Sequence, residues 1–295
     1  MRQYLVLTLI AFALFAASCK KRTPLIVEKM NDNQFAPLNS VLQQPFKIKA
    51  LNHKNEPIEG LKVRFFIKNG SGILEGNVYE SYDTTDSEGF AECIFYLGHE
   101  AIPQQVEVDM KRYDGETVIF TANPEYAEDI RDGEKYLLTK IGGVIWTAQN
   151  IRYNEPGSRA NPDFPSTVFG RLYDWYDAQG VCPAGFRLPT ITDYQAMTTA
   201  VGNEYYTIGK KLKSRNSWLH VEDGKNLVGF DLFPAGNFIT SIGEYRGFGE
   251  YTALWTTDEQ TNLNGKYAIL SYNSLDMYYT GYAKSTASSC RCIKE

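Results

Sequence analysis

The sequence predicts a protein of two folded parts, an all-β sandwich followed by an α+β domain. The chain has 295 residues, which is enough for two domains of ordinary size. Short alternating segments separated by turns fill residues 34–123, whereas residues 135–295 combine strand patterns with a helix signal and many short Gly-aromatic segments. Hydrophobic residues make up 43% of the chain and aromatic residues 14%, which excludes a disordered protein.

The charge of the chain argues against a nucleic-acid partner. The formal net charge is −5, and no stretch of the folded part is strongly basic. We therefore expect no nucleic acid among the partners.

Residues 1–18 have the pattern of a signal peptide. Arg2 gives a positive start, residues 4–17 form an apolar run, and this run is too short to span a membrane. Residues 16–19 (AASC) resemble the lipobox of bacterial lipoproteins, with Ala16 where Leu is usual. The resemblance implies cleavage before Cys19, lipid on Cys19 and the membrane as a partner. The alternative is an ordinary cleaved signal with an incidental cysteine.

Residues 19–33 are basic and then polar with little periodicity, so we expect a lipidated tether there. The predicted location is the cell envelope, anchored by lipid at the outer membrane, and the side of the membrane is left open. Export also permits disulfides.

Residues 34–123 are predicted to form the sandwich. Residues 46–50 and 61–67 alternate between apolar and polar side chains, and residues 86–89 (DSEG) form a turn signal. Cys93 falls on the apolar face of the following strand and is expected to be a small core residue. Residues 124–134 are acidic and lose the alternation, so they are predicted to be a linker.

Two segments of this region resemble the invasin-type (Big-1) bacterial Ig-like domains. Residues 56–65 (EPIEGLKVRF) resemble a strand pair of that family, with Glu56 in place of the usual Gly. Residues 84–91 (TTDSEGFA) resemble its turn and strand, with Phe90 in place of a smaller residue. The resemblance implies an Ig-like sandwich that acts as a spacer in a surface protein, without an active site.

Residues 135–295 begin with a predicted hairpin around Gly142-Gly143. Leu188 precedes a proline and is expected to be extended. Thr190 and Asp193 have the spacing of a capping box, so a helix is predicted from there to about Val201.

The same region resembles the Fibrobacter succinogenes major paralogous domain, a bacterial module with a C-type-lectin-like fold. The segments that carry the resemblance occur in the family's order: 146–150 (WTAQN), 170–175 (GRLYDW), 182–190 (CPAGFRLPT), 211–214 (KLKS) with Trp218, 229–236 (GFDLFPAG), 254–257 (LWTT) and 289–292 (SCRC). Phe186 stands where the family has Trp, and Cys290 where it has an apolar residue. The resemblance implies an α+β C-type-lectin-like domain.

The resemblance also implies a disulfide between Cys182 and Cys292. Cys290 lies two residues before Cys292, so on a strand both side chains share one face. Cys290 is therefore a competitor for Cys182, a free thiol, or part of a soft-metal site with the other two cysteines. We expect no metal, because no histidine supports such a site.

Catalytic and cofactor signatures are not found in the sequence. His53, His99 and His220 are scattered, and no hydrolase or phosphate-loop motif is present. The calcium motifs of true C-type lectins are matched only at Trp255, so no calcium or other cofactor is expected. The formylglycine-generating enzymes are related by fold, but their reactive cysteine pair has no counterpart. We expect the protein not to be an enzyme.

The 20 tyrosines supply the candidate ligand-binding residues. Tyr245, Arg246 and Tyr278 are the candidates, because they fall near the variable loops of this fold and exposed tyrosines suit glycan or protein ligands. The alternative for each tyrosine is packing in the core. The predicted function is non-catalytic binding of protein or glycan at the cell surface by a lectin-like head on an Ig-like spacer. The alternatives are an assembly subunit of a surface appendage and, more remotely, an enzyme.

Overall fold

The computed structural model describes residues 25–110, 117–202, 207–219, 224–274 and 276–295. The predicted signal peptide and the predicted lipidation site Cys19 lie outside the described residues. None of the helices in these residues has the length and hydropathy of a membrane-spanning segment.

The first part of the chain is a β-sandwich. One sheet has the strand order β1-β3-β7, the other β2-β10-β9-β4-β6, and a short pair β5-β8 lies beside them. All pairings are antiparallel except that of β2 with β10. The strands are β1 Ile26–Met30, β2 Gln34–Ala36, β3 Phe46–Leu51, β4 Lys62–Asn69, β5 Ile73–Leu74, β6 Glu80–Thr84, β7 Phe90–Cys93, β8 Phe95–Tyr96, β9 Gln104–Met110 and β10 Val118–Pro124.

The core of the sandwich follows the alternation in the sequence. Every second residue of β10, beginning with Val118, is buried, and β3 and β9 behave in the same way. At the centre, the ring of Phe46 stacks on Phe120 at 4.7 Å and on Phe95 at 5.7 Å. Cys93 is a buried free thiol in this core, as the alternation predicted.

The structure differs from the sequence-based boundaries at two short strands. β1 lies within the stretch predicted to be a tether, and it pairs with β3 along its length. Its apolar residue Val27 packs against the core, while the neighbouring charged residues face outward and gave the segment its polar composition. β11 (Tyr126–Glu128) lies within the predicted linker and pairs with the first strand of the second part.

The second part, residues 135–295, is mostly strands and loops, and we call it the head. Its largest sheets have the orders β11-β12-β13-β20-β14 and β17-β18-β19, and β15 pairs with β16. The remaining elements are β12 Lys135–Ile141, β13 Val144–Thr147, α1 Ser166–Phe169, α2 Trp175–Ala178, β14 Phe186–Arg187, α3 Ile191–Val201, α4 Ile208–Leu212, β15 Asn237–Ile239, β16 Glu244–Arg246, β17 Tyr251–Glu259, β18 Asn264–Ser271, β19 Tyr278–Ala283 and β20 Ile293–Lys294.

The predicted helix start is confirmed at α3. The Thr190 hydroxyl accepts a hydrogen bond from the Asp193 amide at 3.1 Å, and the Asp193 carboxylate accepts one from the Thr190 amide at 2.8 Å. The helix ends before Gly202, whose φ is 64°. Gly142 and Gly143 both have positive φ between β12 and β13, as a tight hairpin turn requires.

The loop that follows β2 of the sandwich forms backbone hydrogen bonds with β12, the first strand of the head. The Leu38 amide donates to the Leu138 carbonyl at 2.9 Å, and the Lys140 amide donates to the Leu38 carbonyl at 2.8 Å. The next residue, Asn39, donates through its side chain to the Val228 carbonyl at 2.8 Å. Because the Leu38 side chain is only 1% exposed, the two parts share apolar packing as well as hydrogen bonds.

Gly229 provides a test of this junction. Its φ is 61°, and a Cβ there would lie 2.8 Å from Leu38 Cδ1 and 3.2 Å from the His99 carbonyl oxygen. Gly243 also has a positive φ, but a Cβ there would meet nothing within 4 Å. Both Ala substitutions carry the backbone cost of about 1–2 kcal/mol. We expect Gly229→Ala to lower the free energy of unfolding by a further ~1–3 kcal/mol, because it overpacks the junction.

Urea unfolding of the two variants measures the difference. Equal losses of stability for Gly229→Ala and Gly243→Ala would contradict the close packing at the junction.

Candidate functional site

The end of the chain is fixed in the middle of the head by a disulfide. Cys182 and Cys292 are bonded, with 5.8 Å between their Cα atoms and 110 residues between them in sequence, as the family resemblance implied. Closing so long a loop contributes about 4–5 kcal/mol in the chain-entropy model. The predicted competitor Cys290 is instead a free, buried thiol, and its burial raises its pKa well above the usual value.

Arg291, between the two cysteines, is the most buried charge of the head. It has no solvent exposure, and burial lowers the pKa of its guanidinium to about 10, so it stays charged at neutral pH. Its Nε donates to Asn150 Oδ1 at 2.7 Å, and Nη1 donates to the Phe230 carbonyl at 2.7 Å. It also donates to the carbonyls of Thr147 and Asp231, at 3.1 and 3.0 Å.

These acceptors come from distant parts of the head. Thr147 and Asn150 lie at and just after the end of β13, whereas residues 230–231 belong to the loop before β15. The guanidinium also lies 4.5 Å from the centre of the Phe230 ring. Arg291 therefore holds two loops against the end of the chain through neutral acceptors and a cation–π contact.

The same end segment positions the sheet β17-β18-β19. The Trp255 amide donates to the Ser289 carbonyl at 3.0 Å, and the Ser289 amide donates to the Ala253 carbonyl at 3.1 Å, which fixes β17. β17 pairs with β18, and β18 pairs with β19 in a continuous register from Asn264–Ala283 to Ile269–Tyr278. Among the described strands, β19 therefore pairs only with β18, along one of its two edges.

The exposed face of β19 carries Tyr278, Thr280 and Tyr282, which we call the β19 row. These three side chains share a face because they are two residues apart on a strand. Tyr278 is 58% exposed and Tyr282 38% exposed. The Tyr282 ring lies 5.9 Å from that of Tyr267, a buried residue whose pKa is raised to about 12 by burial.

The other face of β19 is anchored. Tyr279 points towards α3, with its hydroxyl 3.4 Å from Thr198 Oγ1, and it packs against the apolar cluster of the head. Burial raises the pKa of Tyr279. The row is therefore presented by a strand whose opposite face is fixed, which lowers the entropy cost of binding.

The predicted ligand-binding residues occupy two different places. The Tyr245 hydroxyl donates to the Ala160 carbonyl at 2.7 Å and its ring packs on Phe238 at 4.9 Å, so it serves the local packing. Arg246 is 59% exposed at the surface, and it forms an ion pair with Glu244. No described contact joins these β16 residues to Tyr278 on β19. Tyr282 was not singled out in the sequence, although its spacing of four residues from Tyr278 signals one face of a strand.

The two acidic residues at the end of β17 bind neighbouring groups of the protein. Asp258 accepts a hydrogen bond from the Ile191 amide at the start of α3, at 2.6 Å, and Glu259 pairs with Lys284 at 2.9 Å. Within the described part of the chain, no three His, Cys, Asp or Glu residues come together as metal ligands.

Most of the head matches one known protein family. A family model described as the Fibrobacter succinogenes major domain matches residues 139–294, which is 156 of 295 residues. The chain belongs to this family. The match begins within β12 and ends in β20, so this major domain coincides with the head that the disulfide and Arg291 hold together. No curated protein sequence matches the chain.

Solved structures overlap with the chain only loosely. The Yersinia pseudotuberculosis adhesin InvE is 11% identical, with a TM-score of 0.35, over 91% of this chain and 70% of that chain. A lipoprotein from Bacteroides thetaiotaomicron is 16% identical, with a TM-score of 0.24, over 38% and 89%. Invasin, a bacterial integrin-binding protein, is 16% identical, with a TM-score of 0.26, over 46% and 28%.

The role of Arg291 in the major domain can be tested with Arg291→Lys. Lysine keeps the charge but has a single nitrogen, so it cannot reach acceptors on opposite sides of the guanidinium. We expect a loss of about 3 kcal/mol or more in the free energy of unfolding, because a buried charge and several acceptors lose partners. The matched control Arg246→Lys lies at the surface and should change stability by less than ~0.5 kcal/mol.

Chemical denaturation of both variants gives the comparison. A similar small effect for Arg291→Lys and Arg246→Lys would show that the hydrogen bonds of the guanidinium do not hold the major domain together.

Proposed function

We propose that this protein is a non-catalytic binding protein of the bacterial cell envelope, anchored by lipid on Cys19. In this proposal the Ig-like sandwich is a spacer, and the major domain is a C-type-lectin-like head that binds a protein or a glycan at the cell surface. The observation that carries the proposal is the β19 row, because it exposes two tyrosines on a strand whose opposite face is fixed.

The chemistry of the row suits binding. A tyrosine ring offers an apolar face to a sugar or to an aliphatic side chain, and its hydroxyl offers a donor and an acceptor. Rigid aromatic side chains lose little conformational entropy on binding, which is why tyrosine is frequent among residues that dominate binding energy.

The sequence supports the anchor. The apolar run 4–17 followed by Cys19 is typical of a lipoprotein precursor. Several acyl chains on one residue bind a bilayer firmly, since each buried methylene adds about 0.8 kcal/mol.

An assembly subunit of a surface appendage is the second candidate. The observation that favours it is the free side of β19, an edge that a further strand can extend. The two candidates differ in what the head contacts, a foreign ligand or another envelope subunit.

The row is tested by Tyr278→Ala combined with Tyr282→Ala in the full chain. We expect binding to glycans or to foreign surface proteins to weaken at least about tenfold, because two aromatic contacts are lost and each contributes ~1 kcal/mol or more to the binding free energy. The control is Tyr79→Ala, which removes a tyrosine that is 70% exposed on the sandwich. A glycan array and a pull-down with foreign surface proteins provide the measurements.

Unchanged binding in the double variant would refute the row as the ligand site. Equal weakening by Tyr79→Ala would move the site away from the head. Failure of the wild-type chain to bind glycans or foreign proteins, together with co-purification of envelope subunits, would favour assembly instead.

The anchor is tested by Cys19→Ser. We expect this variant to leave the membrane fraction, because the thiol that carries the lipid is gone, whereas Ser18→Ala should stay with the membrane. Membrane fractionation followed by immunoblotting measures the distribution, and a Cys19→Ser chain that still sediments with membranes would contradict lipid anchoring at this residue.

A further inference from the structure

Among the described residues, β19 has one side without a backbone partner from Tyr278 to Tyr282, and at its end the Ala283 carbonyl accepts a hydrogen bond from the Thr286 amide at 2.9 Å. Its inner side pairs with β18 over six residue pairs, and it is the last strand of its sheet. On its outer side, no described residue makes a hydrogen bond with the backbone of residues 278–282. A row of free amides and carbonyls of this kind is a template for another extended strand.

β19 also differs from the other sheet edges in its composition. Proteins normally protect edge strands with charges, prolines or bulges. Among the described strands, the other edges of four residues or more all carry charged residues, namely β1, β6, β7 and β17. β19, with the sequence YYTGYA, has no charge, no proline and no register shift, and three of its six residues are tyrosines.

The far edge of the same sheet is not available. β17 is covered by bridges from Gly236 to Thr252 and from Leu254 to Ser289. Growth of the sheet can therefore occur only at β19, and one added strand leaves no second open edge on this sheet.

The sequence of β19 is complementary to itself in one antiparallel register. If Thr280 lies opposite Thr280 of a second copy, residues that share a face stand opposite each other. Tyr278 then lies beside Tyr282 of the second copy, and Tyr279 lies opposite Gly281, where the Gln260 side chain of the second copy covers the strand. Aromatic pairs and a central Thr–Thr pair are favourable across antiparallel strands, and no like charges meet.

We propose that two copies of this chain associate through their β19 strands in the antiparallel register centred on Thr280. The pairing joins the two three-stranded sheets into one continuous sheet with twofold symmetry, and the unpaired backbone groups of each edge satisfy those of the other. Tyr278 and Tyr282 of both copies then form one exposed surface. The association requires the backbone groups on the free edge of β19, and it does not require a ligand bound to the β19 row.

The register gives a direct test by cysteine cross-linking in the full chain. In Thr280→Cys the two new thiols lie on directly opposed residues, whose Cα atoms are about 4.5–5.5 Å apart in an antiparallel pair. This separation is within the range for a disulfide. We expect mild oxidation of cells that express Thr280→Cys to shift the chain to a dimer band on non-reducing gels.

Ala283→Cys is the matched control. Ala283 is exposed on the same strand, but in this register the two copies of residue 283 lie six residues apart along the paired strands, about 20 Å. The described free cysteines Cys93 and Cys290 are buried, and they are present in both variants. We expect Ala283→Cys to remain a monomer.

Two outcomes overturn the proposal. If the Thr280→Cys chain stays monomeric, the two β19 edges do not meet. If Thr280→Cys and Ala283→Cys form dimers equally, the cross-links come from random encounters and not from strands paired in the proposed register. Co-expression of Tyr278→Cys with Tyr282→Cys gives an independent reading, since only the proposed register brings these two thiols together between copies. Loss of glycan or protein binding in the Tyr278→Ala and Tyr282→Ala variant bears on the proposed function and leaves the cross-linking result unaffected.

Discussion

The head depends on a charge that has no contact with water. An unpaired guanidinium in such a place costs several kcal/mol, so the loops that supply the acceptors of Arg291 must all be in place for the charge to be tolerated. Because Asn150 and residues 230–231 are far apart in sequence, satisfying one side chain requires most of the head to be assembled. The buried charge of Arg291 thus disfavours any arrangement of the head in which these acceptors are displaced.

The residues on both sides of Arg291 also fix other parts of the head in place. Cys292 bonds to Cys182 and brings the loop before α3 to the same place. Ser289 pairs with β17, and β17 positions β18 and then β19. The segment 288–292 therefore fixes β17, whereas β19 lies two strands further out in the same sheet and exposes Tyr278 and Tyr282.

Local signals in the sequence predicted local structure well. The alternation in residues 46–50, the capping box at Thr190 and the Gly142-Gly143 turn each depend on a few adjacent residues, and each was found as predicted. The pairing of Cys182 with Cys292 was available only through the family resemblance, since spacing alone left Cys290 as an alternative. The two strands that were assigned to a tether and a linker, β1 and β11, are stabilised by partners elsewhere in the chain, and composition contains no information about such partners.

The difference between local sequence signals and contacts with distant parts of the chain also explains the candidate site. Tyr245 and Tyr278 look alike in sequence, yet one donates to the Ala160 carbonyl and packs on Phe238 while the other is mostly exposed. What separates them is the surroundings of the side chain, since β16 and β19 are both outer strands but only Tyr245 has a ring and a carbonyl packed against it. Among the described edge strands of four residues or more, the others carry charges that oppose further pairing, and β19 does not. A strand that exposes aromatic side chains and free backbone groups together is costly to keep in solution, because both features promote association. Its presence at the outermost strand of an otherwise tightly fixed head is most simply explained if that strand is where the head meets other molecules.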